Sequence, residues 1–304
     1  QRQRRQSQHR CLQWLSRRRR HRCRTPWPRF CVHPSTVNVA GIGIGLRKEL
    51  YDGLLASSRR VDWLEIVSEN YIDATGRASE MLARCAARWP IIPHGVGLSV
   101  GSAAPAGYLD GLAALVARIK PAYISDHLCY SSVGARSYLD LLPLPRHAES
   151  VARVVCNALA AKATTGVPLI LENITTYAEM PGSEFSEATF LQRVAEQAEV
   201  GLLLDVNNLY INAVNGKRDP LALLAEFPLQ HVRQLHLAGH TWDGDLLLDT
   251  HAAPVAPPVW DLYVEVLRRC GPVPTLIEWD QHIPSLDAVL DQADHARDLM
   301  RQHT

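Results

Sequence analysis

No apolar run in this sequence approaches the ~20 residues that a membrane-spanning helix requires, which excludes a transmembrane helix from the expected architecture. Cysteine is sparse: Cys11, Cys23, Cys31, Cys85, Cys129, Cys156 and Cys270 are scattered, odd in number and without a C-x-x-C pair. In a chain of 304 residues this argues against a disulfide scaffold and for a reducing, cytoplasmic setting. A full G-x-G-x-x-G turn is missing as well. Gly41-Ile42-Gly43-Ile44-Gly45 falls short of the spacing, so a dinucleotide-binding open sheet lacks its signature.

Acidic residues are absent from residues 1–36, which also lack lysine but contain eleven arginines. The rest of the chain holds 21 basic residues against 31 acidic ones, a net charge of −10 that the overall +1 conceals. An arm without an apolar core is not a secretory signal, and its composition gives it little surface to bury. Residues 1–36 are therefore expected to be a disordered basic extension. Such a composition also fits a transit peptide or a nucleic-acid-binding arm. Residues 37–304 are expected to form one catalytic domain.

From Val37 onward a single unit recurs, a short aliphatic or β-branched run followed by an amphipathic stretch. The runs are Val37–Ile44, Val61–Val67, Pro90–His94, Ala122–Ser125, Pro168–Leu171, Gly201–Leu204, Val232–Leu237 and Pro274–Ile277. Helices are expected after them, among them Ala148–Ala163, Trp260–Arg269 and, closing the chain, Leu286–Arg301. Continuous apolar strands are what burial on both faces of a parallel sheet demands. Eight such units in this length predict a (β/α)8 TIM barrel rather than a doubly wound open sheet. Pro93 interrupts the third run, so that strand is expected to be short or bulged.

Barrel enzymes build their sites at the C-terminal ends of the strands. There this sequence places Glu65, Glu69 and Asn70, then His94, Asp126 and His127, then Glu172 and Asn173, then Asp205, Asn207 and Asn208. His236 and His240 follow the seventh run, Glu278 and Asp280 the eighth, and Asp249 and His251 lie in the long loop between them. One polar residue at a strand end is usually a cap or turn former; the joint convergence of imidazoles and carboxylates is the pattern of a site. Histidine with carboxylate and no thiolate suits iron, manganese or zinc. Four imidazoles (His94, His127, His236, His251) and four carboxylates (Glu172, Asp205, Asp249, Glu278) exceed the needs of one tetrahedral ion. Two or three ions bridged by carboxylates, or a mononuclear centre surrounded by supporting groups, both satisfy that count. Ser99 and Ser131, near histidines, suggest a hydrolase nucleophile, but neither is read as part of a G-x-S-x-G elbow. Cys129 reads as packing. Trp63, Trp242 and Trp279 are candidates for lining a pocket or filling the core, and Arg47, Lys48 and Arg146 for attracting an acidic peptide.

Several phrases now line up. They are Gly45-Leu46-Arg47, Ser68-Glu69-Asn70-Tyr71, His94-Gly95-Val96-Gly97-Leu98-Ser99, Ser125-Asp126-His127-Leu128 and Leu141-Leu142-Pro143-Leu144-Pro145. Leu171-Glu172-Asn173, Leu204-Asp205-Val206-Asn207-Asn208, His236-Leu237-Ala238-Gly239-His240, Asp249-Thr250-His251 and Ile277-Glu278-Trp279-Asp280 continue the series. With these motifs the sequence resembles, from about Val39 to Pro284, the multinuclear non-heme iron-dependent oxidative enzymes, the family of the methanobactin-biosynthesis oxidase. The resemblance implies a xylose-isomerase-like barrel with two or three irons, mixed Fe(II) and Fe(III), and O2 as co-substrate. It implies oxidation of a ribosomally made precursor peptide, commonly at cysteine, and in many members a separate small protein that recognises the precursor's leader. Family iron ligands carry over to His94, His127, Glu172, Asp205, His236, Asp249, His251 and Glu278. Of these, Asp205, His236 and Glu278 are expected to be catalytic, with Asn173, Asn207 and His240 as additional or surrounding groups. Many relatives have histidine where this chain has Leu50 and Val67, so the substrate and exact outcome are not carried over.

Two other functions compete. One is a sugar isomerase or phosphodiesterase using divalent metal without redox chemistry on the same barrel, since fold does not fix function. The other is nucleic-acid binding through the basic arm, which the acidic body disfavours.

Overall fold

Burial on both faces dictates the centre of the molecule. The structure is a computed structural model in which residues 39–102, 104–133 and 136–303 are described. The basic extension expected over residues 1–36 lies outside them. Eight parallel strands close into a barrel: β1 (Ile42–Gly45), β2 (Trp63–Val67), β3 (Ile91–Gly95), β4 (Ile124–His127), β7 (Leu169–Glu172), β8 (Gly201–Asp205), β9 (Val232–Leu237) and β12 (Thr275–Ile277). The closure runs β1-β12-β9-β8-β7-β4-β3-β2, so every apolar run of the sequence contributes one stave. Two antiparallel hairpins are inserted after barrel strands, β5 (Tyr130–Val133) with β6 (Arg136–Leu142), and β10 (Thr241–Asp243) with β11 (Leu246–Leu248).

Strand alternation sorts the interior into layers, because residues two apart share a face. Trp63, Ile92 and Leu276, each 0 % exposed, form an apolar cluster with Val39. Glu65 and His94 sit two residues further along β2 and β3, and Glu278 just past the end of β12, toward the C-terminal mouth. The tryptophan fits because its registered neighbour is Gly43, where a Cβ would lie 2.5 Å from the indole ring. A separate, larger core packs the outer faces of the strands against the helices, with Leu64, Ile66, Leu171, Leu204 and Leu235 buried there.

The helices begin and end where side chains or glycine allow it. Ala148–Thr165 is capped by His147, whose ring accepts from Ser150 N, and stops at Gly166, with φ of 73°. Glu187–Ala198 is capped by Ser186, and Pro220–Glu226 by Asp219 with proline in its first turn. The expected helices Trp260–Arg269 and Leu286–Arg301 lie within Pro257–Cys270 and Leu286–His303. Pro93 leaves β3 in place: Ile66 pairs with Pro93, but β4 joins only at His94 and Gly95. The register shift among the barrel strands falls instead between β8 and β9, at Leu202 and Leu203.

Candidate metal centre

The barrel brings its polar strand ends to one place. His94 and His236 each lie one residue before the end of β3 and β9, His127 ends β4, Glu172 ends β7, Asp205 ends β8, and Glu278 follows β12. Asp249 and His251 arrive on the loop after the β10–β11 hairpin. Their ligand atoms form three overlapping groups: His94, His127 and Glu172; Glu172, Asp205, His236 and Glu278; and His251, Glu278 and Asp280. Within each group the atoms lie within 4.8 Å of one another. Glu172 belongs to the first two and Glu278 to the last two, so the groups form a chain of sites.

Hydrogen bonds fix which ring nitrogen faces inward. His127 Nδ1 lies 2.9 Å from the carbonyl of Gly95, a pure acceptor, so Nδ1 carries the proton. Its Nε2 lone pair then points to Glu172 Oε2 at 3.4 Å. His94 Nδ1 is 2.9 Å from Ser125 Oγ, and its Nε2 lies 3.2 Å from the same Glu172 oxygen and 3.3 Å from His127 Nε2. With the proton of His127 on Nδ1, its Nε2 lone pair, His94 Nε2 and Glu172 Oε2 converge within 3.4 Å of one another, a donor set that suits a cation. His251 Nδ1 bonds Asp280 Oδ2 at 3.0 Å while Nε2 faces Asp249 Oδ1 at 2.7 Å and Asp205 Oδ2 at 3.7 Å. His236 Nδ1 faces Glu278 Oε2 at 2.8 Å.

A metal fits these residues by a further criterion. Glu172 Oε2, Asp205 Oδ2, His236 Nδ1, His251 Nε2 and Glu278 Oε2 are buried without a hydrogen bond of acceptable geometry, despite their close neighbours. Five orphaned buried atoms converging in one cluster would be costly unless a cation satisfies them. Asp205 shows the division of labour. Its Oδ1 accepts from Asn208 N at 2.7 Å and caps the helix Val206–Asn215, leaving Oδ2 for the site. His251 adopts a φ of 45°, unusual for a residue other than glycine, and its carbonyl accepts from Asp280 N at 2.9 Å.

Burial and mutual proximity shift the titration of these groups in opposite directions. Burial lowers His94 and His127 below the usual imidazole range, with neighbouring imidazoles adding to the effect at His94. Burial also raises Glu172 well above the carboxylate range and Asp205 to about 7. At His236, burial acts downward but Glu65, Glu278 and Glu172 outweigh it and push the ring well up. His251 is likewise raised, burial being overcome by Asp249 and Glu278. Asp249 and Glu278 are held below their usual range: burial opposes this, and His251 and His236 respectively prevail.

The surrounding groups fall into two sets. Asn173 braces the backbone of Asp205, accepting from its N–H at 2.9 Å and donating to its carbonyl at 3.1 Å. Asn207 donates to Asp249 Oδ1 at 3.4 Å, and its Oδ1 lies 2.7 Å from His240 Nδ1. His240 stacks on Tyr210 and belongs to none of the three groups, reaching Asp249 only through Asn207. Sequence reasoning left Glu65, Gln234, Asp280, Thr175 and Tyr177 unassigned. Asp280 was visible as a carboxylate beyond a strand end, and Glu65 was expected at one, although the structure places it in the middle of β2; Gln234 had no signal beyond lying two residues before His236. Arg47 donates to Trp279 O at 2.9 Å and to Asp280 Oδ1 at 2.5 Å, so it is tied into the site's wall.

Other candidates are structural. Ser99 lies in Gly97-Leu98-Ser99-Val100-Gly101, the spacing of a hydrolase nucleophile elbow, which sequence reasoning overlooked. Its Oγ is buried and committed to the N–H groups of Ser131 and Ser132 and to Ser102 Oγ, with no histidine at hand. Cys129 is 0 % exposed, and Trp63 belongs to the barrel's floor, whereas Trp242 is 60 % exposed on the β10–β11 hairpin. Leu50 is buried in the outer core; Val67 pairs in register with His94, placing an aliphatic side chain beside the first group. A cavity of 560 Å3 is lined by Arg146, Asn173, Tyr177, Glu187, Arg218 and Leu246 among others; it includes none of the donor residues and is connected to them through Asn173 and Tyr177, which bond Asp205 and Asp249.

A closed (β/α)8 barrel with buried, overlapping His–carboxylate groups at its C-terminal mouth is the arrangement of a barrel enzyme with a candidate metal centre. Comparison with known proteins gives the family. Residues 41–301 match the model described as RiPP precursor modification enzyme MbnB/TglH/ChrH, and the chain belongs to this family, whose members modify ribosomally made peptide precursors. A UPF0276 protein of Anaeromyxobacter sp. (strain Fw109-5) is 43 % identical, over 87 % of this chain and 94 % of its own. A UPF0276 protein of Acaryochloris marina is 40 % identical, over 87 % of this chain and 96 % of its own. In fold the chain is similar to a D-psicose 3-epimerase from Clostridium cellulolyticum H10, with a TM-score of 0.57 at 13 % identity over 86 % of this chain and 99 % of that one. It is also similar to a xylose isomerase-like TIM barrel protein from Mycobacterium smegmatis, with a TM-score of 0.53 at 12 % identity over 87 % and 97 % of the two chains. At that identity the likeness is one of fold. No described helix is long and apolar enough to cross a membrane.

Proposed function

We propose that this chain is an iron- and O2-dependent oxidase that modifies a ribosomally made precursor peptide at cysteine. The observation that carries the reading is the chain of three donor groups sharing Glu172 and Glu278, which suits two or three closely spaced ions better than one. His94, His127 and Glu172 would hold the first; Glu172, Asp205, His236 and Glu278 the second; His251 and Glu278 the third, with Asp249 in place of Asp280 because Asp249 faces His251 Nε2 at 2.7 Å while Asp280 bonds Nδ1. Nitrogen and oxygen donors without thiolate suit iron in both the Fe(II) and Fe(III) states. When bound, iron supplies the redox capacity by which electrons pass from the peptide to O2.

The chain's own residues prepare that chemistry. Asp205, His236 and Glu278 form the central group and are the catalytic residues of this reading. Burial excludes bulk water from it, His236 and Asp205 being 0 % exposed. Asn173 and Asn207 steady Asp205 and Asp249. The cavity gives a peptide room, and Tyr177, whose hydroxyl accepts from Asp249 N at 2.8 Å, links it to the centre. A separate protein that recognises the precursor's leader belongs to the same reading.

The test is conversion of a short cysteine-containing peptide encoded beside this chain, followed by mass spectrometry with and without O2. A mass loss that requires both Fe(II) and O2 supports the reading. Full conversion under strict anaerobiosis with zinc or manganese alone contradicts it.

A further inference from the structure

Three of the four clustered histidines turn Nε2 toward the centre; His236 alone turns Nδ1. Its Nε2 points the other way, into the barrel, toward two polar residues with no place in the metal groups. Glu65, on β2, is 2 % exposed, and Gln234, two residues before His236 on β9, is 0 % exposed. His236 Nε2 lies 3.2 Å from each Glu65 oxygen, and Gln234 Nε2 lies 2.7 Å from Glu65 Oε2.

From this geometry we infer that Glu65 is a positioning residue: it holds His236 with its proton on Nε2, so that Nδ1 is the metal-binding atom, and Gln234 holds Glu65 in place. The direction of each ring nitrogen decides the matter. Nε2 meets the Glu65 carboxylate with hydrogen-bonding geometry, whereas Nδ1, although 2.8 Å from Glu278 Oε2, is buried without a hydrogen bond of acceptable geometry. A proton resides where it finds an acceptor, and the lone pair then faces the centre. Gln234 Nε2 also stands 2.9 Å from His236 Nε2, but its hydrogens have a stronger acceptor in the carboxylate, which is acceptor-only when ionised. The other three rings are anchored by Ser125 Oγ, the Gly95 carbonyl and the exposed Asp280. His236 alone is anchored by a buried carboxylate, in the middle of the chain of groups. The consequence is a carboxyl support beneath the central ligand that fixes the orientation of its ring toward whatever cation it binds.

This inference rests on the metal reading of the site but not on iron or oxygen chemistry, so Zn(II) is a suitable probe. The full-length chain is loaded with Zn(II), and its histidine nitrogens are observed by 15N NMR, with His236 assigned through His236→Gln. The expected signature is a protonated, downfield-shifted Nε2 on His236 with Nδ1 bound to metal. E65Q keeps the shape but not the charge; it should move that Nε2 proton resonance upfield and weaken Zn(II) binding about 10- to 100-fold. Circular dichroism on the same samples reports whether the barrel is intact, and the wild-type NMR signature stands even if E65Q does not fold. Zinc bound with His236 Nε2 as ligand, or an unchanged signature in a folded E65Q, overturns the role of Glu65 while leaving the metal site standing. No Zn(II) bound by the wild-type chain overturns both.

Discussion

Glu172 is the residue whose removal separates this account from its rivals. Its Oε2 lies 3.2 Å from His94 Nε2 and 3.4 Å from His127 Nε2, and its Oε1 lies 3.7 Å from His236 Nδ1. It therefore serves two of the three donor groups. A ligand that binds only the folded chain stabilises it by about 2.7 kcal/mol per site at a hundredfold excess over Kd. For a domain of this size each kcal/mol is worth roughly 2–4 °C in Tm, so each filled site adds roughly 5–11 °C. In E172Q, anaerobic Fe(II) should raise Tm by less than half of the wild-type shift, and bound iron should fall to the share of the one group that lacks Glu172. The metal-free protein should behave oppositely. Burial disfavours the charged form of this carboxyl, so metal-free E172Q should melt no lower than the metal-free wild type. Differential scanning fluorimetry with parallel metal analysis reads both. An E172Q protein that keeps the full iron content and the full thermal shift would refute the shared-ligand reasoning.

Metal uptake should depend on pH in a predictable direction. Asp205, raised to about 7 by burial, is protonated below that pH in the metal-free protein and must lose its proton to accept a cation. Affinity measured by competition with a chelator should rise up to about tenfold per unit as pH approaches 7, then level off for this group. Because folding raises this pKa, the metal-free fold loses stability as pH climbs from the ordinary carboxylate range toward 7; metal should abolish that loss. H127A should lose the ion of the first group while the second and third remain filled, giving a partial fall in metal content where E172Q gives a larger one. S99A should lower stability by about 1–3 kcal/mol in chemical denaturation, since two buried N–H groups lose their acceptor. Its metal content should be unchanged; loss of activity in a folded, fully loaded S99A protein would revive the nucleophile reading.

How much of this was legible in the sequence depends on what burial requires of each residue. The staves were readable because a strand covered on both faces must be apolar throughout and must end in polar punctuation. That punctuation was the site: His94, His127, Glu172, Asp205 and His236 each stand at a strand end or one residue before it. The inner layer was harder. Trp63 sits on the floor of the barrel rather than in a substrate pocket, and only the absence of a side chain at Gly43 marks the space it fills. Glu65 and Gln234 are polar residues inside apolar runs, and their meaning depends on a contact between β2 and β9, 169 residues apart in sequence. The two hairpins are short and partly solvated, so they lack the continuous hydrophobic signal of the barrel strands. His240 shows the opposite limit. Its sequence neighbourhood is that of a ligand, yet one turn beyond the strand end is enough to direct it to Asn207 and Tyr210 instead.

The central claim is that this barrel holds a multinuclear iron centre, and metal analysis with Mössbauer spectroscopy on the anaerobically purified protein tests it most directly. The account predicts two or three irons per chain, with ferrous and ferric components in the spectrum. A single ion per chain, or stoichiometric zinc or manganese in a protein fully active without O2, would contradict it.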